Sequence, residues 1–128
     1  MRILKLLRSK QKKQFISEVG FITNKGRQSH LAIETLVRLR ELNIEEEDEL
    51  KIDYYFYADS LDKTPKLIDE LQKLNYSVTV NENKNLFIIN GQTTAIRMMH
   101  EVLKKWTMDM CELGYKYDCN FEDWKTLQ

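Results

Sequence analysis

Two carboxylates near the C-terminus, Asp118 and Asp123, are the first residues to weigh for chemistry. Paired acids can share general acid and general base roles. That chemistry also needs a nucleophile or a polarised partner, and the sequence supplies neither beside them. There is no phosphate-binding glycine loop, no dinucleotide fingerprint and no Gly-x-Ser-x-Gly elbow. His30 and His100 are distant from each other, and with Cys111 and Cys119 they show no metal-ligand spacing. His100 falls one step off an apolar helical stripe, so it reads as structural or solvent-facing. The sequence points away from an enzyme: no catalytic residue, no metal and no cofactor is expected.

Binding chemistry is better represented. Tyr55 and Tyr57 alternate with the apolar positions of residues 50–58, and outward aromatics on a first strand can stack unpaired bases. Lys10, Lys12, Lys13, Lys25 and Arg27 bring phosphate-binding charge. Together these residues define a single-stranded RNA-binding reading. Against it, residues 84–90 lack the glycine and aromatic character of an RNA-recognition motif. Glu45, Glu46, Glu47, Asp48 and Glu49 form the opposite feature, five acids in a row. Such a run suits a basic partner, the chain's own basic arm, or a loop held open in solvent by self-repulsion.

The formal net charge is zero, but its two signs are segregated. Residues 1–40 carry ten Lys and Arg against Glu18 and Glu34, a net of +8; residues 41–128 carry ten basic and eighteen acidic side chains, a net of −8. The basic arm suits RNA, an anionic lipid surface or the acidic half of the same chain. A chain of 128 residues predicts one domain with an accessory segment. Two cysteines make no disulfide framework and fit a reducing cytoplasm. No apolar stretch reaches a membrane-spanning length.

The elements that must position these residues follow from periodicity. Residues 1–19 read as a basic amphipathic helix, with Ile3, Leu4, Leu7, Phe15, Ile16 and Val19 on its apolar side. Asn24-Lys25-Gly26 predicts a turn within a break over 20–26. Ser29 then caps a helix to about Asn43. Residues 50–58 alternate cleanly as a strand. Pro65 opens a helix over 64–75, closed by Asn75 in a left-handed turn. Strands over 76–80 and 86–89 flank a polar hairpin, the second apolar on both faces and so central. A long helix over 94–113, capped by Thr93 or Thr94, ends at Gly114, and a last strand covers 115–119. This order, β-α-β-β-α-β, predicts a ferredoxin-like α+β sandwich, with four antiparallel strands, two helices on one face and N-terminal helices added. Residues 1–26 are expected to be an arm and 27–128 the domain.

The end of the chain, Leu113-Gly114-Tyr115-Lys116-Tyr117-Asp118 with Trp124 soon after, resembles the end of the RraB family, the regulators of ribonuclease E activity. Those chains commonly close with a glycine, an aromatic or acidic strand, and Tyr-Asp-Gly-Trp. Upstream, Leu71-x-x-Leu74-Asn75-Tyr76 and the Val78-x-Val80 strand are similar to the family's order of elements. The likeness spans about residues 27–126. It departs where Cys119-Asn120-Phe121-Glu122-Asp123 stands between Asp118 and Trp124, so the family's glycine is missing. The resemblance implies a cytoplasmic, non-enzymatic protein that binds a ribonuclease and inhibits or redirects it. The expected contact surface is the run 45–49 together with Tyr117, Asp118, Asp123 and Trp124. Trp124 is either an exposed interface anchor or the residue that closes the core edge.

Overall fold

The computed structural model of this chain describes residues 13–128. Most of the helix expected over 1–19, with Lys10 and Lys12, lies outside the described residues. Residues 13–17 are not helical. Helix α1 runs Glu18–Glu41, and the Ser17 hydroxyl caps it by accepting from the Gly20 amide at 2.9 Å. The expected break over 20–26 and the cap at Ser29 are therefore overturned. The helix passes through Asn24-Lys25-Gly26 because Phe21, Asn24, Gln28, Ala32, Thr35 and Leu39 recur at helical spacing on one packed side. Two of these are amides, which a count of apolar residues does not register.

The fold is α+β, with three helices and two antiparallel sheets. Strands β1 (Glu49–Leu50) and β5 (Ile96–Arg97) form a small pair. Strands β2 (Ile52–Ala58), β3 (Thr79–Asn83), β4 (Leu86–Gln92) and β6 (Asn120–Thr126) form the main sheet, ordered β3-β4-β2-β6. Helix α2 (Thr64–Lys73) follows β2, and α3 (His100–Lys116) precedes β6. The alternation read in β2 holds. Ile52, Tyr54, Phe56 and Ala58 are buried, while Asp53, Tyr55 and Tyr57 are half-exposed on the other face. Leu67 and Leu71 of α2 and Leu103, Trp106 and Met110 of α3 share the core with the buried set. Trp106 packs edge-on against both Phe121 and Trp124, with ring centroids 5.6 and 5.5 Å away.

Several boundaries differ from expectation. The helix expected from Thr94 begins at His100, because tertiary pairing claims the intervening residues. Thr93 Oγ1 accepts from the Ile52 amide at 2.9 Å, and Ile96-Arg97 pairs with Glu49-Leu50. Gly114 lies inside α3 rather than beyond it; the left-handed residue that ends the helix is Asp118, at φ 58°. Glycine is needed at 114 for a different reason: a Cβ there would overlap the Cys119 carbonyl oxygen and meet the Phe56 ring at 2.9 Å. The strand expected over 115–119 is a helix end and a turn, and the real strand is β6. The strand expected from Tyr76 begins at Thr79. Asn75, at φ 66°, closes α2 in the left-handed conformation expected of it.

The last strand was hidden by a bulge. Tyr55 pairs with Asp123 and Phe56 with Phe121, leaving Glu122 as an extra residue on β6. The bulge breaks the alternation and loosens carbonyls from the ladder. Helix α1 satisfies them. Asn24 Nδ2 donates to the Phe121 carbonyl at 2.8 Å, and Gln28 Nε2 to the Phe121 and Glu122 carbonyls at 3.2 Å each. Gln28 Oε1 accepts from Trp124 Nε1 at 2.9 Å, and Arg27 donates to the Glu122 carbonyl at 3.0 Å. Asn24 Oδ1 accepts from both Gln28 and Arg27. Replacing Gln28 with Leu leaves a buried indole N–H without its acceptor, and urea denaturation is expected to show a loss of about 2–3 kcal/mol. Gly114→Ala forces a helix and a strand apart and is expected to cost about 1–3 kcal/mol in the same measurement.

Candidate partner-binding surface

The acidic run lies between α1 and β1, and all five side chains are exposed. Its backbone is nonetheless anchored. Asp48 Oδ2 accepts from the Glu45 amide at 2.7 Å, the Ile44 amide donates to the Leu39 carbonyl, and the Met98 amide to the Asp48 carbonyl at 2.8 Å. Arg40 secures the loop from below, donating to the carbonyls of Ile44 at 3.0 Å and Met98 at 2.7 Å. Glu46 and Glu47 border a shallow hollow of about 180 Å³ whose other walls are Arg97 and Met99. None of the five acids takes part in an ion pair among the described residues.

The C-terminal candidates are not brought together into one patch. Trp124 is 3% exposed, with its N–H bonded to Gln28, so it closes the core and is not an exposed anchor. Asp123 is exposed and sits beside Tyr55 on the open face of the sheet. Tyr117 is half-buried, with the Lys116 ammonium 5.4 Å from its ring centre. Asp118 faces inward to a charge cluster. Its Oδ2 lies 2.5 Å from Lys63 Nζ and accepts from the Phe15 amide at 2.7 Å, while its Oδ1 accepts from the Ile16 amide at 2.9 Å. Lys63 also donates to the Lys13 carbonyl at 2.9 Å. Asp59 Oδ1 meets the same ammonium at 2.7 Å, a charge contact out of line for a hydrogen bond. Sequence inspection did not find Lys63, which lies 55 residues from Asp118.

The basic and aromatic candidates are also dispersed. Lys13 is exposed. Lys25 pairs with Glu112 at 3.7 Å and sits over the Phe21 ring, while Arg27 is committed to Asn24 and the Glu122 carbonyl. Tyr55 and Tyr57 lie on the open sheet face, opposite Asn90 and Ile88 of β4. Burial pushes both cysteine thiols up to about 12, so neither is a ready nucleophile. Among the described residues, no group of three His, Cys, Asp or Glu side chains is placed to share a metal ion. No described helix is long and apolar enough to cross a membrane.

Comparison with protein-family profiles matches residues 31–126 to RraB, regulator of ribonuclease activity B. The chain belongs to the RraB family. No curated protein matches it. The family's role is regulation of ribonuclease activity, a protein-interaction role. The RraB match contains the acidic run, the Tyr117-Asp118 pair and Trp124; it begins inside α1, after Lys25 and Arg27. Within this RraB-family chain, Tyr117-Asp118 forms the turn out of α3, and Trp124 is the indole held by α1.

The Asp118 cluster sets a pH dependence. Burial disfavours the Asp118 carboxylate, but the Lys63 hydrogen bond, the Phe15 and Ile16 amides and the Lys63 charge outweigh it, so its pKa is lowered. Burial likewise disfavours the Lys63 ammonium, yet pairing with Asp118 and Asp59 raises its pKa overall. The Asp118 contribution is therefore full above the ordinary aspartate value near 4 and is lost as pH falls through its lowered pKa. The Lys63 contribution is full below about 10.5 and is lost as pH rises through its raised pKa. Asp118→Ala is expected to destabilise the fold by about 2 kcal/mol at pH 7 and to remove the acid limb of the stability profile that Asp118 supplies, measured by denaturation between pH 3 and 7.

Proposed function

We propose that this protein binds a ribonuclease directly and modulates it, with the acidic loop 45–49 as the docking element for a basic segment of the enzyme. One observation carries the reading: five consecutive acids are displayed in solvent on an anchored backbone, unpaired among the described residues. Charge presented in this way steers association and selects basic partners. The hollow between Glu47 and Arg97 offers a place for one inserted partner side chain. Asp123, beside Tyr55, adds a further acid on the open sheet face, whereas Trp124 and Asp118 act through the fold. In this reading the protein works in the cytoplasm and its β-α-β-β-α-β core is ferredoxin-like; because α1 runs unbroken across the boundary expected at 26/27, the regulator domain takes in residues 13–26 as well. The family match lends no support to RNA binding by Lys25, Arg27, Tyr55 and Tyr57.

The test is binding of ribonuclease E to the full chain and to a variant carrying Glu→Gln and Asp→Asn at all five positions 45–49. The variant is expected to bind at least about tenfold more weakly at low ionic strength, with the gap narrowing as salt is added. The complex should persist after nuclease treatment. Binding that depends on RNA, or that is unchanged in the variant, refutes the proposal.

A further inference from the structure

Arg40 lies half-buried in the last turn of α1, and Asn43, at φ 65°, turns the chain out of the helix toward the acidic run. The carboxylates of 45–49 follow directly, yet Arg40 forms an ion pair with none of them among the described residues. Its guanidinium is committed to two backbone carbonyls instead. Nη1 donates to the Ile44 carbonyl at 3.0 Å and Nη2 to the Met98 carbonyl at 2.7 Å.

Those carbonyls belong to opposite walls of one hollow. Ile44 leads into the acidic run, and Met98 lies between Arg97 and Met99, which face Glu46 and Glu47 across the space of about 180 Å³. The backbone closes the same bridge further on. The Met98 amide donates to the Asp48 carbonyl at 2.8 Å, and Glu49 and Leu50 pair with Arg97 and Ile96. Met98 is fully buried, so its wall is fixed by the core. The acidic wall has no such anchor of its own, because all five of its side chains are exposed.

A run of five like charges repels itself and opens where nothing fastens it. A planar guanidinium holds two acceptors on different segments at a fixed separation, which an ammonium on a flexible stem does not. A loop already held in its bound shape loses less conformational freedom when a partner arrives.

We propose, on the docking reading given above for 45–49, that Arg40 is a positioning residue for the partner. It clips the acidic run to the core-anchored wall at 97–99 and so keeps the carboxylates in the arrangement that a basic segment meets. The sign of its effect separates this role from charge alone. Arg40 is a cation beside the acids, so its removal deepens the local negative potential, and by electrostatics alone a basic partner would bind more tightly. Positioning requires weaker binding from the same change.

Binding of ribonuclease E to the full chain across ionic strength tests the proposal, with Arg40→Gln, Arg40→Lys and Arg38→Gln beside the five-position amide variant. Arg38, exposed in the same turn, is the charge control. Arg40→Gln and Arg40→Lys are each expected to bind about five- to tenfold more weakly. The salt dependence of Arg40→Lys should run parallel to that of the native chain, since no charge differs. Arg38→Gln should bind as tightly as the native chain or slightly more so. Amide exchange should quicken over residues 42–50 and at Met98 in both Arg40 variants, while β2 stays protected and circular dichroism stays native. Arg40→Lys carries the test alone if Arg40→Gln does not fold. Native or tighter binding by the Arg40 variants, with binding lost in the amide variant, overturns the positioning role and leaves the docking reading standing. Equal loss in Arg38→Gln and Arg40→Gln, or weaker binding with loop exchange unchanged, overturns the positioning role as well. Unchanged binding by the amide variant overturns both.

Discussion

The bond between the two amides of α1 and the bulge of β6 is the constraint on which the rest of the molecule depends. A bulge in an edge strand frees carbonyls that must find donors if they are buried. Asn24 and Gln28 provide those donors, and Gln28 in turn accepts the indole N–H of Trp124. One glutamine thereby joins a helix, a strand and the aromatic core. Apolar contact alone would allow α1 to slide or roll across α3, because hydrophobic burial has no preferred direction. The amide geometry removes that freedom and sets which side of α1 faces outward.

A second tie acts at the far end of the same unit. Asp118 takes a left-handed conformation at the end of α3 and there gathers the Lys63 ammonium and the amides of Phe15 and Ile16. The approach to α1 is thus held against the connection between β2 and α2. The Phe21 and Tyr115 rings stack at 4.1 Å just above this point. The Tyr-Asp pair that resembles the family's end is consequently a structural joint in this chain. Its carboxylate is occupied internally.

The two ties and the acidic loop divide the labour of α1. Its inner side is committed to β6 and the core, its N-terminal approach to Asp118, and its C-terminal end to the loop that displays the acids, through Arg40 and the Leu39 carbonyl. On its outer side Val19, Ile22, Ile33 and Val37 are exposed among the described residues. The acidic loop is thereby placed by the C-terminal end of this one helix.

By itself the sequence determined what local chemistry controls. The alternation of β2, the Pro65 start and Asn75 stop of α2, the central place of β4 and the family likeness were all legible from neighbouring residues. Only the tertiary structure decided the course of α1, the start of α3, the position of β6 and the fate of Asp118 and Trp124. In each case the deciding partner is remote in sequence: Gln28 lies 96 positions from Trp124, and Lys63 lies 55 from Asp118. Polar side chains such as Asn24 and Gln28 read as surface until the carbonyls they satisfy are known. A bulge erases the two-residue period that marks a strand, and a glycine such as Gly114 reads as a helix stop until the ring packed against it is seen. Local pattern records propensity, whereas burial and hydrogen-bond satisfaction are properties of the assembled chain.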